Sequence, residues 1–220
     1  MPIEAAIADT DSGYSRLIRL VAADGSAAQP ALARLSVPRI AIADLADAVH
    51  CLCLLHGHHN GVMEVTLERA WHPVFREWLS GAHDAFALER DGLARLISAA
   101  GPLPSTPGQT ESENAVAMQR HALVMLAQSD RAGCAAGACM ALANDWAAIR
   151  GLLQTMARRL DVTLPATRLP DPKVSRALYE MTSIAPEMER GLMFGAQQFL
   201  AQHRGLWGLI DARSSARAAS

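Results

Sequence analysis

The sequence predicts an all-α protein, and three observations carry that prediction. Alanine fills roughly one position in five, β-branched residues are sparse, and apolar side chains return with helical spacing through most of the chain. Alternating apolar and polar runs of strand length do not stand out. With 220 residues, half of them hydrophobic, the chain can bury about 70% of its unfolded surface in one core. No internal repeat or second compositional regime divides it, so residues 1–220 read as a single domain.

The elements follow in order. Residues 1–38 read as short helical pieces broken by Gly13, Gly25, Pro30 and Pro38, an extension packed across the main bundle. In 40–56, Ile42, Leu45, Val49, Leu52 and His56 share one helical face. The turn-forming stretch 57–61, with two glycines and an asparagine, then implies a helical hairpin. Helix resumes near Val62. It is kinked or restarted at Pro73, which has no N–H to donate, and continues to about Ala99. Three prolines and two glycines in 101–108 predict an extended connection. Thr110, three residues before Glu113, reads as a capping box for a helix running to about Gln128, and Ser129 or Asp130 can cap its successor. That successor is the strongest helix, with Ala135, Ala138, Leu142, Trp146, Ile149, Leu153, Met156 and Leu160 in one stripe. Pro165, Pro170 and Pro172 break the chain again, and Pro186 should kink or divide the final helical region. Met188, Leu192, Ala196, Phe199 and His203 share a face there, and the tail 211–220 has little to bury and should fray.

Composition limits the functions. Twenty basic residues, all but Lys173 arginines, against 22 acidic ones leave a net charge of −2, so no basic footprint for nucleic acid or an anionic membrane appears. The longest apolar runs, such as 135–143, are about half the ~20 residues a bilayer needs. The first 20 residues include Glu4, Asp9 and Asp11 and lack the cationic start and apolar block of a signal peptide, so a cytoplasmic location is expected. Cys51 and Cys53, and Cys134 and Cys139, have neither metal-ligand nor redox spacing and read as small core residues. No phosphate-binding glycine loop, nucleophile elbow, zinc spacing or haem attachment motif occurs.

Long amphipathic helices with a proline-rich crossover are similar in outline to the ferritin-like four-helix bundles, which implies an up-and-down antiparallel arrangement. The stretch Leu103, Pro104, Ser105, Thr106, Pro107, Gly108, Gln109, followed by 121–128 and 130–146, resembles an uncharacterised family of short bacterial all-helical proteins. That resemblance carries no catalytic motif. The di-iron members of the ferritin-like group need Glu-x-x-His on two helices, and this motif is absent here. Asp47-x-x-His50 comes nearest, but both residues point away from the apolar centre and read as solvent-facing. Glu64, Glu68 and His72, at i, i+4 and i+8, align on one side of a continuous helix as a solvated face or a carboxylate–imidazole site. His56, His58 and His59 form the densest imidazole run, with His58 and His59 solvated in a turn and His56 a hydrogen-bonded core residue.

Three residues stand out as candidate ligand-binding positions: Glu89, His121 and Asp145. Glu89 lies in an apolar arc with Trp78, Ala82, Phe86, Leu93 and Leu96, so its carboxylate needs a buried partner, an arginine ion pair or a site. His121 shares a stripe with Asn114, Met118, Met125 and Gln128. If the helices on either side of the crossover are antiparallel neighbours, Glu89 and His121 lie at one depth, roughly 15 Å from the crossover. Counting across the Ser129 turn brings 137–141 to that level, where Gly133 and Gly137 suit close helix packing. Asp145 flanks the long stripe and is expected to pair with Arg150 or another arginine. The leading expectation is a binding or assembly protein without recognised chemistry. Exposed Ala and Met positions make a homodimer reasonable and a small-molecule ligand is possible; no cofactor or metal is assigned. The alternatives are a metal-dependent oxidoreductase using Glu89 and His121, and a carrier of an apolar metabolite in a Met- and Leu-lined core cavity.

Overall fold

The computed structural model describes residues 12–37, 39–58, 61–70 and 72–219. The described residues form α-helices α1 (Gly13–Asp24), α2 (Pro30–Leu35), α3 (Ile42–His56), α4 (Val62–Arg69), α5 (Pro73–Ala100), α6 (Gln109–Ala127), α7 (Cys134–Leu160), α8 (Pro172–Thr182) and α9 (Pro186–Ala218). A 3₁₀ turn, Ser26–Ala28, joins α1 to α2, and no strand occurs among these residues.

Proline and left-handed glycine set the boundaries. Pro30, Pro73, Pro172 and Pro186 each sit in the first turn of a helix, where a missing N–H costs nothing. Pro73 therefore starts a new helix instead of kinking an old one, and Pro186 divides the last helical region in two. Gly101, Gly108 and Gly133, with φ of 79°, 73° and 83°, end α5, open α6 and open α7. Two expected caps give way to these glycines. Gly108 stands at the N-cap of α6 in place of Thr110, and Gly133 at that of α7 in place of Ser129 or Asp130.

The long helices close a ring: α3 packs on α5, α5 on α7, α7 on α9, α9 on α6 and α6 on α3. Helices α5 and α6, consecutive in the chain, do not pack along each other. The crossover 101–108 carries the chain past α3, where His50 Nε2 meets the Gly101 carbonyl at 3.0 Å. Ala138, Leu142, Trp146, Ile149, Leu153 and Met156 of the α7 stripe are all buried. The heaviest seam is α7 on α9, and its backbones approach so closely that a methyl on Gly137 would meet the Leu192 carbonyl oxygen. One on Gly195 would meet that of Cys134, and one on Gly191 that of Ala132. Helices α1 and α2 lie across this pair, and residues 1–11 and Pro38 of the expected N-terminal extension lie outside the described set.

Two expectations fail together at the C-terminus. The tail is helical to Ala218, and Asp47 is fully buried instead of facing solvent. Arg213, itself 3% exposed, donates from Nε to both Asp47 oxygens at 2.7 and 3.0 Å, and Arg217 donates to Asp47 Oδ2 at 2.7 Å. Periodicity on α3 alone missed this because the face opposite the main core is covered by the end of α9. Arg213→Ala should cost roughly 3 kcal/mol in urea denaturation, since it strips a buried carboxylate of the more deeply buried of its two cations.

Candidate functional site

Asp145 lies on α7, one residue before Trp146 in the buried stripe, and is 2% exposed. Its partner is not an arginine. His203 of α9 donates from Nδ1 to Asp145 Oδ2 at 2.6 Å, while the Ser26 N–H reaches Oδ1 at 2.7 Å and the Ser26 hydroxyl reaches Oδ2 at 2.6 Å. Trp207, one helical turn beyond His203, donates its indole N–H to Ser26 Oγ at 2.8 Å. On the far side of the ring, His203 Nε2 lies 2.8 Å from Nε2 of His56, the last residue of α3. A hydrogen-bonded relay thus runs Ser26, Asp145, His203, His56 through four separate elements.

Aromatic rings enclose its far end. His56 meets Trp146 edge-on at 5.4 Å and Phe86 at 5.9 Å, and Phe199 lies 4.3 Å from the His203 ring. Burial drives the His56 imidazole well below its ordinary value, helped by the charge of His203 and then of Arg90. For Asp145, burial pushes the carboxyl up. The His203 hydrogen bond and charge and the two bonds from Ser26 outweigh it and leave the group lowered, so it is ionised at neutral pH.

Glu89 is fully buried on α5 and accepts from Arg150 Nη1 at 2.6 Å and Trp146 Nε1 at 3.0 Å. Arg150 also holds the Pro165 carbonyl, which ties the segment after α7 to the core. His121 is exposed on the outer face of α6 beside Met118 and Met125. Glu89 and His121 are therefore not brought together, because the antiparallel pairing of α5 with α6 that would align them does not form. They make neither an inner ligand pair nor a proton-transfer pair. Among the described residues no group of three or more His, Cys, Asp or Glu could hold a metal ion.

The other polar clusters also resolve. Helix α4 ends at Arg69 and His72 caps α5, which breaks the i, i+4, i+8 alignment with Glu64 and Glu68. Glu64 instead pairs with Arg90, with His83 at 3.6 Å. His58 is exposed, and His59 and Asn60 lie outside the described residues. The four cysteines are free thiols, and burial pushes Cys51 and Cys139 up to about 12, which makes them inert packing groups.

A cleft of about 350 Å³ opens where three interhelical turns meet at one end of the bundle. It lies beside the well-packed core and does not replace part of it. Ala70, Phe75, Ala127, Met181 and Met188 give it apolar walls. Arg69, His72, Ser129, Asp130 and Arg131 stand around them, and Ala135 and Ala136 in the first turn of α7 line it as well. Gly133, the cap of that helix, offers no side-chain hydrogen bond. The cleft was not legible in the sequence, because each of its walls is an ordinary turn until the three come together.

These features define an all-helical protein organised around a buried Ser–Asp–His–His relay, with an open cleft at one end of the bundle. The chain belongs to the family described as Family of unknown function (DUF6975), whose sequence pattern matches residues 21–218. No curated protein and no solved structure matches it. No helix among the described residues is long and apolar enough to cross a membrane.

Proposed function

We propose that this protein is a binding protein whose ligand is a small amphipathic anion seated in the end cleft. The observation that carries the reading is the composition of that cleft, with apolar walls inside and cationic groups outnumbering anionic ones at the mouth. Arg69 is held by Asp130 at 2.8 Å, but this pair is exposed on both sides, so little free energy opposes its exchange for a bound anion. Arg131 is braced over the Phe194 ring, 4.4 Å from its centroid, which keeps its guanidinium at the rim. The first-turn N–H groups of α7 have no intrahelical acceptors and add positive potential on the same side.

The test is calorimetric titration with sodium decanoate and, separately, with decyltrimethylammonium bromide. Decanoate should bind and the cation should not, and Arg131→Glu should weaken decanoate by about tenfold, or 1.4 kcal/mol. Equal binding of both detergents, or no effect of the charge reversal, would remove the anionic assignment; failure of both to bind would remove the site.

A second reading rests on α6, whose outer face exposes Met118 at 68% and Met125 at 54%, seven residues apart. We infer that this face supports a homodimer, for which a solution mass of two chains is expected and a mass of one chain is decisive against. The ring of long helices supports the ferritin-like up-and-down outline, and the balanced charge supports partners other than nucleic acid or an anionic membrane.

A further inference from the structure

The relay has a property independent of the cleft. His203 Nδ1 points its hydrogen at Asp145, so the 2.8 Å gap between the two Nε2 atoms can hold one hydrogen only. With that hydrogen on His203, the buried set is an aspartate, an imidazolium and a neutral imidazole, with no net charge. A second proton would set two N–H groups head to head and leave a net positive charge in the core.

The neighbours of His56 provide no relief. On α5 it faces Phe86 and, further out, Arg90, a cation already paired with Glu64 of α4. Glu89 turns to Trp146 and Arg150. On α7 it faces Trp146, with Asp145 beyond His203, and on α9 it faces Phe199 and His203. Its position does offer one exit. His56 is the last residue of α3, its neighbour Gly57 is half-buried, and His58 is exposed. Unwinding a single turn, closed by the Gly57 N–H on the Cys53 carbonyl at 2.7 Å, would carry the ring to water.

We propose that His56 and His203 form an acid-sensitive latch, in which protonation of His56 releases the last turn of α3 and opens the corner between α3 and α4 while the α7–α9 seam stays closed. In the closed form burial holds His56 neutral. In the open form it titrates near 6.5, so the open population rises tenfold for each pH unit below that value. The direction follows from the lowered group: the open state binds more protons, so closure is complete above about 6.5 and lost as pH falls.

Hydrogen exchange on the full chain, read as protection factors to remove the intrinsic pH dependence, tests this. Between pH 7.5 and 5 the Gly57 amide should lose roughly thirtyfold in protection while amides in the middle of α7 hold theirs. In His56→Phe, which fits the same aromatic enclosure, the pH dependence at the end of α3 should vanish. Equal loss in all helices, no loss at Gly57, or an unchanged slope in His56→Phe overturns the latch. Should that variant fail to fold, ¹⁵N spectra of the wild-type histidine rings decide. A His56 ring that stays neutral at pH 6 in the protected form supports the proposal, and one that titrates normally there with protection intact rejects it.

Discussion

Asp145→Ala is expected to cost about 3–5 kcal/mol of unfolding free energy at pH 7.5, measured by urea denaturation. The carboxylate closes three hydrogen bonds at once, from His203 Nδ1, the Ser26 amide and the Ser26 hydroxyl, at 2.6–2.7 Å and away from water. Truncation leaves all three donors facing a cavity, with the His203 Nδ1 hydrogen stripped of its acceptor in the core. Ser26→Ala removes only the hydroxyl, leaves the amide bond intact and should cost about 1–2 kcal/mol. Asp145 is lowered below its ordinary 3.8 because hydrogen bonds to the ionised form outweigh burial. The unfolded chain therefore binds its proton first as pH drops. The stabilisation is complete above about 3.8 and declines as pH falls through the lower folded value, so the wild-type advantage over Asp145→Ala should shrink in acid. A loss under about 1 kcal/mol at neutral pH would mean that the relay does not hold the N-terminal segment.

What the sequence made legible follows from the range of the forces involved. Helical periodicity is local, so the stripe from Ala135 to Met156 and the breaks at Pro73, Pro172 and Pro186 could be read from spacing alone. The seam between Gly133 and Gly137 and a partner helix was legible for the same reason: small residues four apart leave a flat strip. Partnerships between distant residues were not. Asp145 and His203 are 58 positions apart, and His56 and His203 are 147 apart. Asp145 read as a flank of an apolar stripe and His56 and His203 as members of two apolar faces, and only the juxtaposition of α3, α7 and α9 makes them one network. Asp47 gave a misleading signal because a helix inside a ring of helices has two buried faces, and its periodicity reports only the more apolar one. Glu89 and His121 failed as a pair because their alignment assumed that the helices on either side of the crossover are antiparallel neighbours, whereas the crossover leads the chain past α3 to a new neighbour.

The seam of α7 and α9 gives a prediction whose sign reverses between glycines on the same helix. Gly137→Ala and Gly195→Ala each put a methyl onto a carbonyl oxygen of the opposing helix, Leu192 in one case and Cys134 in the other. Backbone cannot step aside as a flexible side chain can, so the helices must separate along the heaviest contact in the fold. The expected loss is about 3 kcal/mol for either substitution, the upper end of overpacking costs. Gly151 lies on α7 as well, about four turns further on, with nothing within 4 Å of where its Cβ would stand. There only helix propensity acts, and Gly151→Ala should stabilise by about 0.8 kcal/mol. Thermal melts of the three variants separate the effects, since propensity alone would make all three more stable. A melting point raised by Gly137→Ala or Gly195→Ala would show that α7 and α9 do not meet backbone to backbone. The relay depends on that same approach, because Asp145 and His203 are carried by the two helices the glycines hold together.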